Sequence, residues 1–82
     1  MEISKREFII DGIVNFYANN GADWASDEAI EIMSIYESDW FNLPCDSEGP
    51  SEQQWNEQNK FLDDVATKIM KLEHIFSQNY NF

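Results

Sequence analysis

Residues 61–76 read FLDDVATKIMKLEHIF, and the order of apolar and polar positions in this stretch decides the fold class. Leu62, Val65, Ile69, Leu72 and Phe76 recur at alternating steps of three and four, which places them on one side of an α-helix. Phe61, Ala66, Met70 and Ile75 widen that stripe. Upstream, Ser51 with Gln54 three residues on forms a capping box, and Pro50 opposite Trp55 a weak hydrophobic staple. The pattern therefore predicts a long third helix from about Glu52 to Gln78. At about 1.5 Å per residue it would run to roughly 40 Å. Such a helix either supports two shorter ones along its length or keeps part of its stripe for a second subunit.

Two shorter helices precede it. Ser4 is placed to cap the first, with Glu7 closing a capping box and Ile3 and Phe8 forming the staple. Ile9, Ile10, Ile13, Val14, Phe16 and Tyr17 give this helix a broad apolar face to about Asn19, and Gly21 suits a left-handed cap. Gly12 in its interior costs about 1 kcal/mol relative to Ala and is read as a point of close packing. Ser26 is placed to cap the second helix, whose first turn carries Asp27 and Glu28, where the helix dipole favours anions. Its apolar positions are Ala29, Ile30, Ile32, Met33, Ile35, Tyr36 and Trp40, and Pro44 ends it near Trp40 or Phe41. Asn42 to Pro50 is a linker rich in turn formers. The expected architecture is one all-α domain over residues 1–82: a three-helix bundle, with a helical hairpin and a long C-terminal helix packed across it.

The search for chemistry is largely negative. Cys45 is the only cysteine and His74 the only histidine, too few for an internal disulfide or a thiol zinc site. No serine or cysteine has a plausible base nearby in sequence, and His74, beside Glu73 on the third helix, reads as a surface residue. Asp46-Ser47-Glu48-Gly49 lacks the ligand order of a calcium loop and reads as an acidic turn. No cofactor, metal or catalytic activity is expected. No apolar run reaches the roughly 18–20 residues that span a bilayer. Lys5-Arg6 before Phe8-Ile9-Ile10 is a poor signal peptide, because Asp11 and Asn15 interrupt the apolar stretch. The reducing cytoplasm of a bacterial host is the expected compartment.

Charge is the unusual feature. Sixteen acids against five bases give a net charge of −11. Lys5 and Arg6 lie at one end, Lys60, Lys68 and Lys71 at the other, and no Lys or Arg falls between Glu7 and Asn59. Asp27 and Glu31 sit one turn apart, a like-charge pair that destabilises a helix by about 0.2–0.5 kcal/mol. Solubility is one explanation for such a run of acids; a basic partner surface is the other. Carboxylates held on a rigid helix imitate the phosphates of a duplex and are steered toward a cationic groove. Direct binding to nucleic acid is not expected, since phosphate repels this surface.

Trp24, Trp40 and Trp55 each fall at an element boundary, and Asp23-Trp24 and Asp39-Trp40 pair a carboxylate with an indole of the kind that anchors interfaces. Trp40, near Tyr36 and Phe41, is the expected core member and Trp24 the expected exposed one. The candidate partner-binding residues are Asp23, Trp24, Asp27, Glu28, Glu31, Glu37, Asp39 and Trp40. Small acidic helical anti-defence proteins of bacteriophages, anti-CRISPR and anti-restriction proteins among them, share this profile of size and charge. The likeness is one of class, with no motif behind it. It implies an inhibitor or modulator of a nucleic-acid-handling protein. The alternatives are a toxin immunity protein or antitoxin, and a helical assembly subunit that forms a homodimer through the third helix.

Overall fold

Ser4 and Ser26 each start a helix by the same device. The Ser4 hydroxyl accepts from the Glu7 backbone N–H at 3.1 Å, and the Ser26 hydroxyl accepts from that of Ala29 at 3.2 Å. The computed structural model describes residues 3–43 and 52–78. Among them are four helices: α1 (Lys5–Asn19), α2 (Asp27–Ile35), α3 (Glu37–Phe41) and α4 (Glu52–Met70). The all-α class holds, but the three-helix count does not. Most of the Asn42–Pro50 linker lies outside the described residues, with Cys45, the acidic turn at 46–49 and the Ser51 cap.

The extra helix arises because the expected second helix breaks at Tyr36. The buried Tyr17 hydroxyl donates to the Met33 carbonyl at 2.7 Å, and the Tyr36 N–H reaches the same carbonyl at 3.2 Å. A side chain inserted at a helical carbonyl is a recognised cause of a kink. Helical bonding then resumes, with Trp40 N–H donating to Tyr36 and Asn42 N–H to Ser38, both at 3.1 Å.

The third helix is shorter than expected. It ends at Met70, where the N–H groups of Lys71 and Leu72 turn back to Lys68 and Ile69 in tighter three-residue steps. Residues 73–77 then run as a strap across the residues ahead of α2. Ser26 N–H donates to Ile75 at 2.9 Å and Ser77 N–H to Trp24 at 3.0 Å, flanking an isolated antiparallel bridge between Ala25 and Phe76. Two hydroxyls tighten it: Ser26 donates to the His74 carbonyl at 2.7 Å and Ser77 to that of Asp23 at 2.6 Å. Ile75 and Phe76 thus reach the core from the strap, and His74 is not on a helix.

The core follows the expected stripes: Ile9, Ile13 and Tyr17 from α1, Ala29 and Met33 from α2, and Leu62, Val65, Ala66 and Ile69 from α4. α1 and α2 both pack against α4, rather than forming a hairpin that α4 crosses. Leu62, Val65 and Ile69 of the α4 stripe are therefore buried inside the domain, while Phe61 is half-buried and Met70 exposed. Among the described residues no helix is long and apolar enough to cross a membrane.

α1 closes on Asn20 in the left-handed conformation, at φ 56°, and not on Gly21. Asparagine tolerates that conformation because its short side chain finds local partners. Gly12 is the close-packing point anticipated. The Trp24 indole lies against it, so an added methyl would come within 2.7 Å of Cζ2 and 2.8 Å of Nε1. Phe8 and Phe76 cluster edge-on with that ring, their centroids 6.4 Å from it in each case and 5.7 Å from one another. The expected outcome of Gly12→Ala is therefore a loss of about 1–3 kcal/mol in urea denaturation. Helix propensity alone would give a gain of about 1 kcal/mol. An unchanged or raised midpoint would show that the indole yields.

Candidate functional site

The pattern of α2 separates its two faces cleanly. Ala29 and Met33 are fully buried, while Asp27, Glu28, Glu31, Ser34 and Ile35 are exposed. At about 100° per residue the exposed set falls within a single sector of roughly 120° opposite Ala29 and Met33. Extending the same turn through Tyr36 puts Trp40 on the core side and Ser38 outside, as observed. α2 and α3 therefore form one kinked rod of about 22 Å whose outer face runs from Asp27 to Phe41. The Ser26 cap and the strap fix the N-terminal end of this rod, and Trp40 fixes the other. The Trp40 ring stacks on Tyr17 at 5.3 Å and 17° and lies 5.8 Å from Phe61.

Three of the five cations have contacts of their own. Arg6 pairs with the Asp63 carboxylate and donates to Thr67 Oγ1 at 3.0 Å, joining α1 to α4. This is the one ion pair among the described residues. Lys5 lies over the Phe76 ring at 5.8 Å, and Lys68 over the Tyr36 ring at 5.1 Å, on the inner side of the kink. Asp27, Glu28, Glu31 and Asp39 are exposed carboxylates with no ion-pair partner among the described residues.

The structure brings Asp27, Glu28 and Glu31 onto one face, with Asp39 beyond the kink. Glu37 is half-buried and Asp23 is exposed at the strap, where its carbonyl accepts from Ser77. The expectation for the tryptophans is overturned at Trp24, which is 5 % exposed because Gly12 leaves room for the indole to sink onto α1. Trp40 is half-buried and holds α3 down, and Trp55 on α4, at 51 %, is the open one. Two exposed apolar side chains of the rod escaped the sequence reading: Ile35 at 66 % and Phe41 at 64 %. The signal was present, since Ile35 falls opposite Ala29 and Met33 on a helical wheel. Among the described residues no group of three or more His, Cys, Asp or Glu side chains is arranged to hold a metal.

The field of the acids reaches the core. Burial first, then the charges of Glu37 and Asp39, push the Tyr17 hydroxyl well above its ordinary value of 10. The native state thus favours the neutral phenol. Its contribution to stability is fully present below about pH 10 and is lost as pH rises from there through the raised native value. Tyr17→Phe should cost about 0.5–1.5 kcal/mol at neutral pH by removing the bond to Met33. The gap between wild type and variant should narrow above about pH 10. Parallel pH–stability curves from chemical denaturation would contradict the assignment.

The chain matches no protein-family model, no curated protein and no solved structure.

Proposed function

We propose that this domain is a small acidic protein-binding module that occupies a cationic surface of a nucleic-acid-handling protein and so modulates or inhibits it. The observation that carries this reading is the outer face of the α2–α3 rod. Asp27, Glu28, Glu31 and Asp39 stand there without an ion-pair partner among the described residues, while Arg6 is committed to Asp63 and Lys5 and Lys68 to aromatic rings. Unrelieved repulsion along a helix is a standing cost to a small domain. A partner bearing Lys and Arg converts that cost into attraction, steers the encounter and discriminates against acidic surfaces. Carboxylates one helical turn apart on a rigid support present acceptors much as a phosphate backbone does, which supports a nucleic-acid groove as the surface occupied.

The test is capture of the partner from the native host at low and high salt, followed by competition with duplex DNA or RNA. The expected partner binds nucleic acid, is released by salt and is displaced by the duplex. Asp27→Lys, Glu28→Lys and Glu31→Lys combined should weaken its binding by at least about tenfold. These side chains point away from the core, so circular dichroism should show an intact fold. Retention of full affinity by the folded triple variant removes the mechanism. A partner that duplex nucleic acid fails to displace removes the mimicry.

A further inference from the structure

The outer face of the rod is not purely ionic. Ile35 and Phe41 are two of the five large apolar side chains that stand out to solvent among the described residues; Ile35 lies within the exposed sector of the rod and Phe41 at its opposite margin, about 120° around the helix. Glu31 precedes Ile35 by one helical turn and Asp39 follows it by one, with Glu28 two turns before. The rise from Ile35 to Phe41 is about 9 Å. Imitation of phosphates accounts for the carboxylates of this face but not for an isoleucine and a phenylalanine beside them. Exposed apolar groups ringed by charge are the usual anatomy of a protein interface, with the apolar members as anchors and the charges as rim.

The occupant is constrained by charge. A second copy of this chain, itself at −11, would bring carboxylate against carboxylate over the same face. Nucleic acid would bring phosphate against it. A complementary occupant carries Lys and Arg on either side of an apolar stripe. We infer that the α2–α3 face docks a basic amphipathic helix of a partner protein, with Ile35 and Phe41 as apolar anchors and Asp27, Glu28, Glu31 and Asp39 as the acidic rim. This rests on the reading above that the face receives a cationic partner, and it specifies what that partner presents. The anchors are those two residues and not the tryptophans: Trp24 is sealed in the core and Trp40 is turned toward Tyr17 and Phe61.

The experiment uses two synthetic peptides of identical composition, Lys, Arg and Leu only. In one the leucines follow helical spacing along a single face; in the other they are scattered around the helix. Binding to the isotopically labelled full chain is followed by amide chemical shifts at about 150 mM salt. The expected result is an affinity at least about tenfold higher for the patterned peptide, with shifts concentrated in residues 27–42. Ile35→Ser combined with Phe41→Ser should bring the patterned peptide to within about threefold of the scattered one and leave the scattered one's affinity unchanged. Both side chains are exposed, so the double variant should keep its fold, which the amide spectrum reports directly. Equal binding of the two peptides, or an advantage that survives the double variant, overturns the anchors while leaving the ionic reading standing. Shifts centred on another face overturn the placement. Failure of both peptides to bind sinks this inference and the proposed function together.

Discussion

Ser26 ties together three parts of the chain. Its hydroxyl accepts from Ala29, starting α2, and donates to the His74 carbonyl, while its backbone N–H donates to Ile75. One residue thereby sets where α2 begins and which way it leaves the strap. The direction of the acidic face depends on it, because a helix whose first turn is fixed has its whole wheel fixed. Ala29 and Met33 go inward toward α4, and the carboxylates of Asp27, Glu28 and Glu31 are carried outward by the same geometry. Ser77 reinforces the arrangement from the other side through the Asp23 carbonyl and the Trp24 backbone. A site made of surface charges on a short helix has no framework of its own. Its framework is this small knot of hydrogen bonds between residues about fifty positions apart in sequence.

The parts of the fold legible in the sequence are those decided locally. Ser4 and Ser26 were identifiable as caps because a short hydroxyl ahead of an apolar repeat satisfies backbone donors that would otherwise have none. The stripes of α1 and of α4 as far as Ile69 were identifiable from spacing. The failures share a different cause. Nothing in Met70 to Gln78 breaks a helix by composition, and Leu72, Ile75 and Phe76 continue the apolar rhythm; the helix gives way to a strap paired with residues 24–26, about fifty positions upstream. The break at Tyr36 needs the Tyr17 hydroxyl, nineteen positions upstream. Among the candidate residues, the α2 carboxylates share one exposed face, as their spacing implies. The depth of Trp24 was not legible, since it is set by the gap that Gly12 leaves on another helix.

Charge is distributed by an internal logic of its own. Arg6 spends its guanidinium on Asp63 and Thr67 and so clips α1 to α4, while Lys5 and Lys68 lie over aromatic rings. Arg6 and Lys5 serve α1, α4 and the strap, and Lys68 reaches the α2–α3 junction at Tyr36; among the described residues, exposed acids without an ion pair remain on every side, Asp11 on α1 and Asp64 on α4 among them. On the α2–α3 side burial first, and then the charges of Glu37 and Asp39, raise the Tyr17 phenol above its ordinary value. Against a total stability on the order of 5–15 kcal/mol, like-charge pairs at about 0.2–0.5 kcal/mol each are a small but standing cost. The fold tolerates it because the rod is held at both ends, by Ser26 and by Trp40, rather than along its outer surface.

The three indoles sit at three depths: Trp24 sealed between Phe8, Gly12 and Phe76, Trp40 half-covered against Tyr17, and Trp55 open on α4. The chain therefore contains a graded set of intrinsic fluorophores. A small neutral quencher should reach them in the order Trp55, Trp40, Trp24, whereas iodide, repelled by the anionic exterior, should discriminate more sharply still. Trp40, at the end of the rod, is the one whose emission would register a change there without any label being attached.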